Sequence, residues 1–188
     1  MMYVLTAVLL VLLVAVILYY NKFITLKNML KEAASGIDVQ LKRRHDLVPN
    51  LIMTVKGYAK HEKTLFEKVA ETRSVCLKAN GLKEKADPES ELGAGISRLL
   101  AVAENYPELK AGDNFLKLQK DLAEVEDNIQ YARRYYNGVA RDYNNATETF
   151  PGLLIAKSAG FSHEDFFELQ DAKDKEVVSA SFKESSNV

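Results

Sequence analysis

Residues 115–150 read FLKLQKDLAEVEDNIQYARRYYNGVARDYNNATETF, and their apolar positions decide the fold. Phe115, Leu118, Leu122, Val125, Ile129, Ala132, Tyr136, Val139, Tyr143, Ala146 and Phe150 alternate by three and four without a miss. That spacing returns to one side of a 3.6-residue helix, so it draws a single apolar seam along roughly 54 Å. Gly138 lies beside the seam and weakens the helix by up to about 1 kcal/mol, which packing along so long a face absorbs. Pro151-Gly152 ends the element. A seam this long needs a second long helix to cover it.

The partner lies upstream. Ile37, Leu41, Val48, Leu51, Val55, Tyr58, Leu65, Val69 and Cys76 recur at helical spacing, with Arg44, Glu62 and Thr72 filling the same register. Pro49 interrupts this run. It has no N–H and its ring crowds the carbonyl of His45, so a straight helix is not allowed there. Because the apolar phase continues across it, one long helix kinked at Pro49, over about residues 25 to 79, is preferred to a helix–turn–helix at Asp46 to Asn50. Asn80-Gly81 then closes the element. Asp87-Pro88 opens a short helix as N-cap and first residue, with Leu92, Ile96, Leu99, Ala103 and Tyr106 facing inward and Pro107 as its end. The connections force the two long helices to run antiparallel. After Gly160, Ser162 and Asp165 have the spacing of a capping box, and the stretch beyond Val178 is polar and expected to be disordered.

Ahead of all this, residues 2–20 read MYVLTAVLLVLLVAVILYY, without a charge. Nineteen residues at 1.5 Å rise approach the ~30 Å of bilayer hydrocarbon, and Tyr3 and Tyr19-Tyr20 suit its two interfaces. A cleaved signal peptide fits less well, because no Lys or Arg precedes the run and no A-x-A site follows. Lys22, Lys27 and Lys31 follow the span, so the positive-inside rule puts the N-terminus outside and the remainder in the cytoplasm. The expected organisation is an anchor over 1–21, a helical body over 22–178 and a disordered tail over 179–188. The fold class is all-α: a transmembrane helix plus an elongated antiparallel four-helix bundle with two long helices.

Composition narrows the function. The chain has 188 residues, 25 Lys and Arg against 26 Asp and Glu, and a formal charge of −1, which gives no electrostatic footprint for nucleic acid. Cys76 is the single cysteine, so no intramolecular disulfide exists, and a lone Cys in a helical pattern reads as a small buried hydrophobe.

Several motifs in order carry a family likeness. They are Arg44-His45-Asp46-Leu47-Val48-Pro49-Asn50-Leu51, Val55-Lys56-Gly57-Tyr58-Ala59, His61-Glu62, and Glu104-Asn105-Tyr106-Pro107. Asn114-Phe115, Leu118 to Leu122, Glu126 with Ile129, Arg133 to Asn137, Tyr143-Asn144 and Phe150-Pro151 complete the set. In this order they resemble the LemA family of bacterial and archaeal membrane-associated proteins, over about Asn28 to Glu168. The resemblance implies an outward N-terminus, one transmembrane helix and a cytoplasmic antiparallel bundle usually counted as four helices. It brings no settled activity, so no active site is carried over.

Chemistry is sparse. His61-Glu62 begins like the zinc-protease HExxH, but Leu65 stands where the second His belongs. His45 and His163 lie far off in sequence, so no metal site and no cofactor are expected. Glu124, Glu126 and Asp127 lack the cleft that acid–base catalysis needs. The informative oddity is polarity in the inward register. Arg44, Glu62, Glu126, Arg133 and Asn137 read either as an interhelical network fixing register or as a partner groove. Tyr135 is a candidate exposed anchor, since Tyr136 occupies the seam. The expected function is a non-enzymatic, membrane-tethered scaffold or adaptor at the cytoplasmic face of the cell (inner) membrane. The alternative is an accessory subunit of a membrane enzyme, transport or proteolytic assembly. The expected partners are the lipid bilayer, through residues 2–20, and proteins not identified; no nucleic acid or small-molecule substrate is expected.

Overall fold

The computed structural model describes residues 1–168, so the tail expected to be disordered lies outside the described residues. Six helices follow in chain order: α1 (Met2–Lys56), α2 (Lys63–Lys78), α3 (Gly81–Ala103), α4 (Pro107–Lys110), α5 (Asp113–Glu148) and α6 (Gly152–Ala159). The described residues contain no strand.

The seam quoted above is α5, and it lies along α1. Arg44 meets Glu126, and Phe23 shares a cluster with Ala146, so α5 runs antiparallel to α1. The apolar core comes in three tiers stacked along this pair. One tier gathers Val48, Leu51 and Val55 of α1 with α2, α3, α4 and the start of α5. The middle tier packs Ile37 and Leu41 against Val125, Ile129 and Tyr143. The last is small: Phe23, Ala146 and Ala156, flanked by Tyr19, Leu26 and Phe161.

Several boundaries differ from the sequence-based expectation. α1 passes through Pro49 without reversing, but it ends at Lys56, not near residue 79, and the chain turns over positions 57–62. α2 then folds back, bringing Arg73 Nε to 2.7 Å from the carbonyl of His45. That carbonyl is the one Pro49 leaves without its intrahelical donor, so the proline creates the acceptor on which α2 docks. Val55 and Val69 are both buried because the two helices pack one face each into a common core, but Tyr58, expected on that face, is 47% exposed in the turn and Ala59 is buried instead. α3 begins at Gly81, whose φ of +77° makes the reversal after α2, and Pro88 lies inside it instead of opening it. Pro107 starts the one-turn α4, where Pro suits the first helical position. Ser162 and Asp165 cap no helix: residues 161–168 carry no regular secondary structure. Gly160 closes α6 in the left-handed conformation, at φ +75°.

α1 also carries the apolar run. It is the one helix among the described residues long and apolar enough to cross a membrane, and no residue of its most apolar eighteen-residue stretch is buried by the helical body. No break separates that stretch from the rod beyond it.

Candidate functional site

Where the two larger tiers meet, the core turns polar. Arg44 and His45 enter from α1, Glu89 from α3 and Glu126 from α5. Arg44 Nη1 donates to the Glu89 carboxylate at 3.4 Å, and its other amino nitrogen pairs with Glu126. His45 Nε2 lies 2.6 Å from the second Glu89 oxygen. Arg44, His45 and Glu89 are 2%, 6% and 0% exposed, whereas the Glu126 side chain is about half exposed. A fully buried carboxylate survives only when both oxygens are bonded, and here both are. With Arg73 on the carbonyl of His45, four helices meet at this hub.

Cys76 of α2 completes the group. His45, Cys76 and Glu89 each bring one donor atom within 4.8 Å of the other two. Burial first, and facing Glu89 second, push the Cys76 thiol up to about 12. Its proton is therefore held tightly. Glu89 already accepts from Arg44 and His45, so we read the three donors as part of a hydrogen-bonded hub. They were not connected in the sequence reading, because they come from three separate helices.

A second polar device lies on α5. The Asn137 side chain donates to the Phe167 carbonyl at 3.1 Å and accepts from its N–H at 2.8 Å. Asn144 does the same with Glu164, at 2.9 Å for each bond. Each side-chain amide thus replaces the peptide partner a strand would have. Seven helical residues rise about 10.5 Å and three extended residues about 10 Å, so the two spacings match. Tyr136 adds a bond from its hydroxyl to the Asp165 carbonyl at 3.2 Å. The segment 161–168 is thereby strapped along α5, with Phe167 buried beneath it.

The expected polar set divides. Arg44 and Glu126 come together in the hub, and Asn137 belongs to the strap. Arg133 bonds Gln130 Oε1 at 2.6 Å on its own helix. Glu62 lies in the turn ahead of α2, away from the α1 face assigned to it, where its carbonyl accepts from the Phe66 N–H at 3.2 Å. Pro49 sits one turn beyond Arg44 and His45, inside α1. Tyr135 is 46% exposed, and Tyr131, one turn earlier, is 67% exposed.

Glu89 and Asn144 were missed, yet each left a signal. Stepping the α3 face back three residues from Leu92 lands on Glu89. Tyr136-Asn137 and Tyr143-Asn144 form a dipeptide repeated at seven.

The sequence profile of the LemA family matches residues 33–182, most of the chain and all of this polar architecture. The chain belongs to the LemA family. Magnetosome protein MamQ 2 of Paramagnetospirillum magneticum is 24% identical over 185 residues, covering 85% of this chain and 68% of that protein. Magnetosome protein MamQ of Magnetospirillum gryphiswaldense has the same identity and coverage. Protein LemA of Metamycoplasma hominis is 24% identical over 160 residues, with 84% of this chain and 72% of that protein covered.

Proposed function

We propose that this LemA-family chain is a single-pass membrane adaptor without chemistry of its own, presenting a stiff helical rod at the cytoplasmic face. The observation that carries the reading is the unbroken helix from Met2 to Lys56. Its first turns are apolar, uncovered and uncharged, while its later turns are built into the body through Ile37, Leu41 and Val48. Anchor and rod are one element, so the bilayer fixes the position of everything packed on α1. Lys22, Lys27 and Lys31 follow the span with no basic side chain before it, which supports an outward N-terminus. Two relatives are named for the magnetosome and not for a reaction, which supports a role in assembly. Both deepest charged groups, Arg44 and Glu89, are consumed in mutual pairing and offer nothing to a substrate. The exposed Tyr131 and Tyr135 on α5 are the aromatic groups a protein partner would cover.

Cysteine labelling in cells tests the placement. Ser74→Cys lies on the exposed side of α2. It should resist a membrane-impermeant thiol reagent in intact cells and react once the membrane is opened. Strong labelling in intact cells would reverse the topology. A mild-detergent pull-down with the anchor intact then separates the roles. Several substoichiometric partners fit an adaptor, and a single stoichiometric enzyme or transporter complex would make the chain an accessory subunit.

A further inference from the structure

We propose that the tip joining α5 to α6 is a second membrane-contact element, dipping Phe150 and Leu154 into the lipid interface of the leaflet from which α1 emerges. The proposal rests on the anchoring reading above and adds to it a site on the body itself. Arg44 faces Glu126 and Phe23 packs with Ala146, so each step forward along α5 matches one step back along α1. Phe150 therefore comes level with Tyr19 and Tyr20, the aromatic end of the apolar run. The level is fixed by contacts. A Cβ on Gly152 would sit 3.2 Å from the Phe23 ring and collide with the Ala146 carbonyl oxygen, so only glycine lets α6 seat this closely. Phe161 closes the other side, its ring 5.2 Å from Phe23 and 5.8 Å from Tyr20.

At that height the tip shows apolar groups outward. Phe150 is 80% exposed and Leu154 is 64% exposed, four positions apart. In water such a pair leaves its hydrocarbon solvated, whereas at the headgroup boundary it is covered without further protein. The charges fit an interfacial position. Lys22 and Lys157 are exposed nearby in sequence on the two elements, and Lys27 Nζ lies 5.8 Å from the Phe161 ring centre. Ammonium groups at this level suit the phosphates of anionic lipid. The uncovered apolar surface of the tip thus stands at the height where that of the membrane span ends, and lipid is the occupant common to both.

The chain contains no tryptophan, so one introduced tryptophan reports alone. The full-length protein would be reconstituted into vesicles of phosphatidylcholine and phosphatidylglycerol with brominated acyl chains. Phe150→Trp and Leu154→Trp should each be blue-shifted and lose emission several-fold, approaching Leu10→Trp inside the span. Tyr131→Trp, far along the rod, should be red-shifted and unquenched. If Leu10→Trp is quenched while both tip variants are not, the anchoring stands and the tip contact is overturned. If the tip variants are blue-shifted yet unquenched, protein covers the tip and the lipid assignment fails. If Leu10→Trp itself escapes quenching, the anchoring reading falls and this inference with it.

Discussion

At the scale of single residues, Glu89 bears the most. It is wholly buried, and it neutralises Arg44 while accepting from His45. Glu89→Ala would leave both of those groups buried with one partner fewer. Removing one member of a buried ion pair costs about 3–5 kcal/mol, and a denaturant titration should show a loss of that order. The joint replacement Arg44→Met, His45→Leu and Glu89→Leu should recover most of it, because similar volume without charge carries no desolvation cost. A triple variant no more stable than Glu89→Ala would mean the hub is needed for packing geometry and not only for charge balance. Cys76 supplies the pH dependence. Its folded value is raised to about 12 from 9.0, chiefly by burial, so the native state holds a proton that the unfolded chain gives up earlier. The stabilising contribution is complete below about pH 9 and is lost as pH rises towards 12. Burial also raises Tyr136 and Tyr143, whose effect has the same sign at higher pH. Unfolding midpoints measured at about pH 8 and about pH 10.5 should fall, and Cys76→Ala should flatten the slope. An unchanged slope in that variant would remove Cys76 from the account.

At the scale of elements, Pro49 links two helices. Its missing N–H frees the carbonyl of His45, and Arg73 of α2 occupies it. Arg73→Ala should cost about 1–3 kcal/mol by leaving a buried acceptor unpaired. In a Pro49→Ala background the new N–H can satisfy that carbonyl within α1, so the same arginine substitution should cost less, with a coupling of about 1 kcal/mol. Strict additivity in the double-mutant cycle would separate the proline from the docking of α2. The elements also show what one sequence makes legible. The α5 seam was legible from Phe115 to Ala146 because helical periodicity depends only on local spacing and one buried side; Phe150, counted as its last member, lies past the end of the helix and is 80% exposed. The passage of α1 through Pro49 was legible for the same reason. Its end at Lys56 was not, because Tyr58, Leu65 and Val69 continue the spacing across the turn, and Gly57 alone marks it. The start of α3 was hidden in the same way: Asp87-Pro88 has the residues of an N-terminus but sits inside the helix. The hub was half legible. Arg44 and Glu126 stood out as charges in or beside an inward register, while its centre, Glu89, stands directly after Asp87-Pro88, where an acidic residue is ordinary at a helix start. Side chains brought together from three helices have no common spacing, so no local pattern announces them.

At the scale of the whole molecule, the apolar run and the rod form one helix, and α5 returns along it until its tip stands level with Tyr19 and Tyr20. The largest tier and the polar hub fix the far end of the rod, the middle tier and the Asn137 and Asn144 strap brace its middle, and the small tier around Phe23 with Gly152 seats the tip. In the adaptor role proposed above, a partner bound to such a body would be held at a set height from the membrane, which a flexible juxtamembrane linker would not achieve. One distance tests that continuity. Spin labels at Leu18→Cys and Met53→Cys, both on exposed positions of α1 in a Cys76→Ala chain, bracket the junction with the span as well as Pro49. In lipid nanodiscs the pair should give one narrow distance near 50 Å, about 1.5 Å for each intervening residue. A broad distribution, or a peak below about 40 Å, would place a hinge or a reversal within α1 and contradict the account.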